Sequence, residues 1–422
     1  MPGVRARRGR RAALAPALLL ALLARTAAAR ELWRDGGRSL ELRTTFKVTG
    51  TVSRAPDDTL LYPERLTDES LWRLRLEPIW RPGPAVTVDA AYEQRVSVTP
   101  TSGGLSGAVG VLPREFPAPY RLVQLDAPIR EQPGLAWRQE LDRAYAAFHT
   151  GPAEITAGRQ AVGWGRGTLF GAVDLFVPFT PLEADREWRR GIDALRADVT
   201  LGARASADFV GAFSPYIDSS CTAVRLRGYS GALDGELVLG QRARDLVAGL
   251  TSSAAIGSAE LHGELAYFRT PEPITGGGRD VTKLVLGGSY RLGLGAGVPL
   301  IVEYHYSGFG IPNAVDIPTY VADPAFRIRY GRGDTQILGQ HALALLASAD
   351  LSPALAAALT AIADPHDGSG VLAPNLTLRP GDRLVILAGL YVPWGAGASG
   401  TTLHSFYGST PLTALLQVTI AD

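Results

Sequence analysis

Residues 157–167 read AGRQAVGWGRG. Gly163, Gly165 and Gly167 alternate there, and glycines so spaced can turn backbone N–H groups toward a phosphate. A dinucleotide site needs more than that. It needs a G-x-G-x-x-G turn that leaves a strand, opens a helix and sits in a βαβ unit. GWGRG lacks that spacing and no helical pattern follows it, so no nucleotide site is expected. Asp364-Pro-His-Asp-Gly-Ser-Gly resembles a calcium loop only loosely and reads as a turn. The histidines at 149, 262, 305, 341, 366 and 404 show no metal-ligand spacing, and nothing in the sequence places His149, His262 or His305 beside a nucleophile. Neither catalysis nor a cofactor or metal is therefore expected. What remains is charge. Asp174, Glu183, Asp185, Arg186, Glu187, Arg189 and Arg190 crowd one segment, with Arg159 and Gln160 ahead of it and Asp193 and Arg196 behind. Charges concentrated in this way can set the selectivity of a passage. They can equally pair with one another and brace a loop against a wall.

The elements that must position these residues alternate with a period of two, which is the mark of strands. Leu40, Leu42, Thr44, Phe46 and Val48 share one face, and Glu41, Arg43, Thr45 and Lys47 the other. Trp72, Leu74, Leu76 and Trp80 oppose Arg73, Arg75, Glu77 and Arg81 in the same manner. Hairpins are expected at Trp137–His149 with Ala153–Val162, and at Ile192–Leu201 with Ala205–Phe213. Similar segments continue to Leu412–Ile420, making about 16–18 strands in all. The Ala/Leu-rich stretch 340–368 reads either as a helical hairpin or as two strands; Asp350 and Pro353 cut it to strand lengths and favour strands.

Turn lengths alternate as well. Pro82–Pro84, Thr150–Pro152, Leu294–Gly297 and Pro380–Asp382 are tight, whereas Thr99–Ala136, Trp164–Arg190, Ser307–Leu338 and Gly395–Pro411 are long. Transmembrane barrels pair short turns on one side with long loops on the other, and ten-residue strands suffice to cross hydrocarbon. Backbone groups in lipid must be satisfied within the protein, so a sheet can span only as a closed barrel. A soluble sandwich or propeller also alternates but does not require this loop rhythm. The expected fold is all-β, an antiparallel up-and-down transmembrane barrel with long extracellular loops.

The first residues carry a different message. Arg5, Arg7, Arg8, Arg10 and Arg11 precede an apolar run from Ala12 to Ala24, and Ala27-Ala28-Ala29 offers a cleavage site. Residues 1–29 thus read as a secretory leader and 30–422 as one barrel domain. The leader holds six arginines and no acid, so the formal charge of +1 for the whole chain becomes −5 without it. Nothing basic is left to favour nucleic acid. Cys221 is the only cysteine, so backbone pairing and burial must hold the fold together.

One stretch bears a family likeness. Gly158-Arg159-Gln160, Trp164-Gly165, Asp174-Leu175-Phe176-Val177-Pro178 and the return segment Arg189 to Arg196 resemble a group of proteobacterial outer-membrane porin-type barrels, including alginate-export-like members. The likeness covers about 50 residues, and beyond them only the rhythm agrees. The chain departs from such barrels in ending VTIAD, without a terminal aromatic residue. The resemblance implies a Gram-negative outer membrane, contact with its lipid, and use of the secretion and barrel-assembly machinery. It also implies passage of small polar or anionic solutes. Arg159, Gln160, Asp174, Arg186, Asp193 and Arg196 are then the candidate lumen or constriction residues, and Trp164 is expected near the membrane boundary. A loop-plugged barrel that binds polysaccharide, or a hydrolase at the rim, are the alternatives.

Overall fold

Alternation of side chains decides what each face of the sheet meets. Along Arg38–Arg54, Lys47, Thr49 and Thr51 are buried on one face, while Val52 on the other is exposed. The structure, a computed structural model, describes residues 30–57, 62–100, 112, 118–295 and 297–421. The leader expected over 1–29 lies outside them.

The strands in chain order are β1 (Arg30–Asp35), β2 (Arg38–Arg54), β3 (Leu66–Gly83), β4 (Val86–Val98), β5 (Asp126–Gln132), β6 (Leu135–Thr150) and β7 (Ala153–Gln160). Then follow β8 (Ile192–Gly202), β9 (Ala205–Ala212), β10 (Cys221–Ser230), β11 (Leu233–Arg242), β12 (Asp245–Ile256) and β13 (Ala259–Arg269). The set closes with β14 (Asp280–Leu292), β15 (Val298–Ser307), β16 (His341–Ser352), β17 (Leu355–Ala363), β18 (Gly370–Gly381), β19 (Leu384–Trp394) and β20 (Leu412–Ala421). All pairings are antiparallel, and β20 pairs with β2 from Thr45↔Ala421 to Arg54↔Leu412, which closes the barrel.

Two of the strands are not complete staves. β1 lies along the Arg38–Leu42 end of β2, where β20 has already stopped. β5 lies along residues 135–140 of β6, while β7 takes residues 144–150 of the same edge. The wall therefore has 18 staves, with β5 and β7 end to end in one position. The Ala/Leu-rich stretch forms β16 and β17, two strands as expected.

The outward face is apolar. Ile155 and Leu195, at 41% and 43% exposure, and Leu250, Leu265, Leu286 and Leu416 are all exposed there. Inward positions of β2, β3, β4 and β6 carry charge instead. Lys47 faces Arg73, Arg73 faces Arg95 and Arg75 faces Glu93 across the ladders. An oily exterior with a charged interior needs two solvents, and lipid outside with water inside provides them.

The loops follow the expected short–long rhythm except between β11 and β12, where only Ala243 and Arg244 intervene on the long-loop side. The loop 308–340 contains two short helices, α1 (Ile317–Ala322) and α2 (Pro324–Arg332), which the strand pattern did not reveal. Asp323 caps α2 by accepting from Ala325 N at 2.9 Å, Pro324 sits where no N–H is needed, and Gly333 ends the helix at φ 85°. A buried network ties this loop to the β11–β12 turn. Asp334 pairs with Arg242 at 3.0 Å and with Arg332 and Arg329, while Asp245 receives the same two loop arginines.

Candidate functional site

Residues 161–191 leave the wall after β7 and cross the lumen before β8 resumes it. Glycine makes the departure possible. Gly158 has φ 117°, and a Cβ there would lie 2.2 Å from Ala144 O. Gly165 has φ 110°, and a Cβ there would lie 2.9 Å from Glu264 Oε1.

That second contact shows what the alternating glycines do. They do let backbone N–H groups surround oxyanions, but the oxyanions belong to the far wall. Glu264 on β13 accepts from Arg166 N, Gly167 N (2.8 Å), Ala172 N (2.6 Å) and Val173 N (3.2 Å). Glu303 on β15 accepts from Thr168 N, Leu169 N (2.9 Å) and Phe170 N (3.1 Å), and contacts His262 Nε2 at 3.1 Å. Gln336 of the loop 308–340 takes Gly171 N at 2.7 Å and donates to Phe179 O at 2.7 Å. A buried segment without regular structure thus has its backbone donors satisfied by wall carboxylates. Between these anchors Trp164, Leu169, Phe170, Val173, Leu175 and Phe176 pack on small inward residues such as Ala194, Ala212, Ala266 and Ala344.

The return limb runs along the cationic stripe. Asp185 Oδ1 is 2.8 Å from Lys47 Nζ, and its Oδ2 is 2.7 Å from Arg73. Glu187 adds a contact of 2.7 Å to Lys47. The ring of Trp188 lies 4.2 Å from Lys47 Nζ, 4.7 Å from the Arg73 guanidinium carbon and 5.1 Å from that of Arg75. Burial pushes the Asp185 carboxyl up, but Arg73 and Lys47 outweigh it and hold the group below the usual carboxylate range. Wall acids take the remaining charge, with Arg75 on Asp142 at 2.9 Å and Arg95 and Arg121 on Glu140 at 2.7 Å each.

Between the two limbs lies a cavity of about 310 Å³. Its polar lining comes from Thr168, Asp174, Arg186, Arg189 and Gln336. Arg186 donates only to backbone carbonyls there, Thr168 O at 3.4 Å and Thr180 O at 3.2 Å, and its Nε has no hydrogen-bond partner among the described residues. Burial pushes the Arg186 guanidinium down from its ordinary value, while Glu183 and Glu303 pull the other way.

The six candidate residues are not brought together as one ring. Asp174 lines the cavity but is bound, accepting from Arg189 at 2.5 Å and from Phe176 N at 3.2 Å. Arg196 is held on the inner wall, two-pronged on Asp208 at 2.9 Å for both contacts. Gln160 is buried, with its amide donating to Thr156 O and Ala194 O. Arg159 and Asp193 stand opposite each other on the outward side of β7 and β8, in the same alternation as Ile155 and Leu195. Arg159 reaches Asp193 at 2.6 and 2.9 Å, Leu141 O at 3.0 Å and Val123 O, while Asp193 accepts from Val123 N at 3.0 Å. This pair clips the segment leading into β5 onto the split stave.

Trp164 is placed differently from the expectation. It is buried in the lumen, donating to Asp208 at 3.0 Å and standing edge-on to Phe176 at 5.1 Å, so it pins the inserted loop and does not mark the membrane boundary. Glu264 and Glu303 were not foreseen as site residues, because a single acid on an alternating strand looks like any other inward charge.

No family model and no curated protein matches this chain. Solved structures do. OccAB4 of Acinetobacter baumannii superposes with TM-score 0.52 at 11% identity, covering 91% of this chain and 98% of that one. OccAB1 of the same organism gives TM-score 0.53 at 8% identity over 91% and 96% of the two chains. OccK11 of Pseudomonas aeruginosa gives 0.51 at 11% identity over 90% and 95%. Likeness at such identities establishes the barrel fold.

Proposed function

We propose that this chain is an outer-membrane, porin-like channel that passes small polar solutes by diffusion. The observation that carries this reading is the inserted loop. It does not fill the closed 18-stave barrel uniformly, but packs an apolar limb on one wall and leaves a polar cavity bordered by Arg186. Rows of fixed charge beside a narrowing favour solutes by charge and size. An anionic preference is supported by Arg186, the cavity arginine whose hydrogen bonds among the described residues go to backbone carbonyls. No step of chemistry is assigned. Purified protein in planar bilayers should give unitary conductance steps, and a folded protein silent at every voltage would end this reading.

One observation favours a second reading, a plugged barrel that binds without passing solute. Seven backbone N–H groups of the loop are held by Glu264 and Glu303, and a segment so tied yields little. Liposome swelling in sugars and amino acids separates the two, since only an open pore swells vesicles. Handling of an acidic polysaccharide is a narrower possibility. It rests on the Gly158–Gln160, Trp164-Gly165 and Asp174–Pro178 motif alone, and a uronate oligomer that blocks conductance would support it.

A further inference from the structure

Three inward side chains have no part in the loop anchors or the cationic stripe. Lys283, His305 and Ser307 are each fully buried. Lys283 Nζ, both ring nitrogens of His305 and Ser307 Oγ have no hydrogen-bond partner among the described residues. Strand register brings them together. Lys283 on β14 stands directly opposite Ser307 on β15, so their Cβ atoms are about 5 Å apart. His305 lies two positions from Ser307, on the same face, opposite Val285. Phe170 of the inserted loop covers the His305 ring, stacked at 4.7 Å and 12°. The cluster therefore sits at the seam between wall and loop, closed from bulk water.

Charge decides what such a cluster can hold. Asp174, Asp334 and Glu264 are the acids whose fields reach Lys283. Each is engaged elsewhere: Asp174 with Arg189, Asp334 with Arg242 and Arg332, and Glu264 with loop N–H groups. A buried ammonium left without a partner is costly. Water can accept its hydrogen bonds but cannot offset its charge. The cluster also supplies mostly donors, namely the ammonium, a hydroxyl and one N–H of a neutral imidazole. We infer that Lys283, Ser307 and His305 form a binding site for one small monovalent anion of the halide class, bound by Lys283 Nζ and Ser307 Oγ and flanked by His305. The anion locks the seam under Phe170, and its presence does not depend on whether the barrel conducts.

Crystals of the full protein soaked in bromide test this directly. A single anomalous peak within hydrogen-bonding reach of Lys283 Nζ and Ser307 Oγ is the expected result. An ordered water there without anomalous signal, beside an uncharged lysine, overturns the site. In solution, the thermal unfolding midpoint in detergent should rise as chloride replaces gluconate at constant ionic strength, because the anion binds only the folded state. Lys283→Met should abolish that rise and Ser307→Ala should reduce it. If Lys283→Met does not fold, the bromide peak and the Ser307→Ala slope still decide. A midpoint indifferent to chloride in the parent protein refutes the inference.

Discussion

Replacing Glu264 by alanine asks whether the inserted loop is what narrows the lumen. The carboxylate accepts four backbone N–H groups, two on each oxygen, from Arg166, Gly167, Ala172 and Val173. A hydrogen bond to a charged acceptor contributes about 1.5 kcal/mol or more net. Four of them lost amount to roughly 6 kcal/mol, and water entering the emptied space returns about half. A net cost on the order of 3 kcal/mol moves the balance between seated and unseated loop by about a hundredfold. Glu303 still holds Thr168, Leu169 and Phe170, so the barrel and the middle of the loop should persist. Single-channel recording of Glu264→Ala should show larger and noisier steps than the parent. Glu264→Gln should fall between, because the amide keeps one accepting oxygen and turns two donors toward Ala172 and Val173 or Arg166 and Gly167. If Glu264→Ala, shown to be folded by heat-modifiable gel mobility, conducts exactly as much and as quietly as the parent, then the loop does not set the passage.

Arg186→Ala should shift the reversal potential in a potassium chloride gradient toward cations, and an unchanged value would remove Arg186 from selectivity. The Asp185 carboxyl is held low by Arg73 and Lys47, so its stabilising contribution is present above the ordinary carboxylate pKa and is lost as pH falls through the lower folded value. The Trp188-dependent fluorescence, read against Trp188→Phe, should therefore stay constant from pH 7 to 5 and change only below about pH 4; a transition between pH 5 and 6 would contradict the pairing. Arg159→Ala leaves the Leu141 and Val123 carbonyls without their guanidinium donor, and Asp193 without its counter-charge, beside the split stave. It should cost about 3 kcal/mol in the urea unfolding of the barrel while leaving ion selectivity unchanged, and a selectivity change would place Arg159 in the passage after all.

Much of the wall was legible because lipid and water force a strict alternation. The inward Arg73 and Arg75 and the outward Trp72 and Leu74 follow it, as do the hairpins β6–β7, β8–β9 and β16–β17. The half-staves β1 and β5 were not legible, since a strand that merely continues another's edge carries no separate turn signal. The helices α1 and α2 are too short and too weakly amphipathic to stand out in a long loop. Within the site, the charged segment 174–190 announced itself by density. Its partners did not, because Glu264, Glu303 and Lys47 lie on strands whose pattern is already accounted for by the barrel. Residue order also hides direction at a stave's end. Arg159 and Gln160 are adjacent, yet one clips the outside of the wall and the other faces the lumen.

The loop anchors have a consequence for how the chain assembles. The donors at 166–173 are satisfied by acceptors 91 to 165 residues further along. Until β13 and β15 have joined the sheet, that glycine-rich stretch has nowhere to place its N–H groups except in water. Seating the loop must then be a late step that follows growth of the wall, because contacts so distant in the chain are slow to form. A barrel halted before β15 should be open-mouthed and protease-sensitive between Gly163 and Val173. Protection of that stretch would report completion of the sheet on its far side.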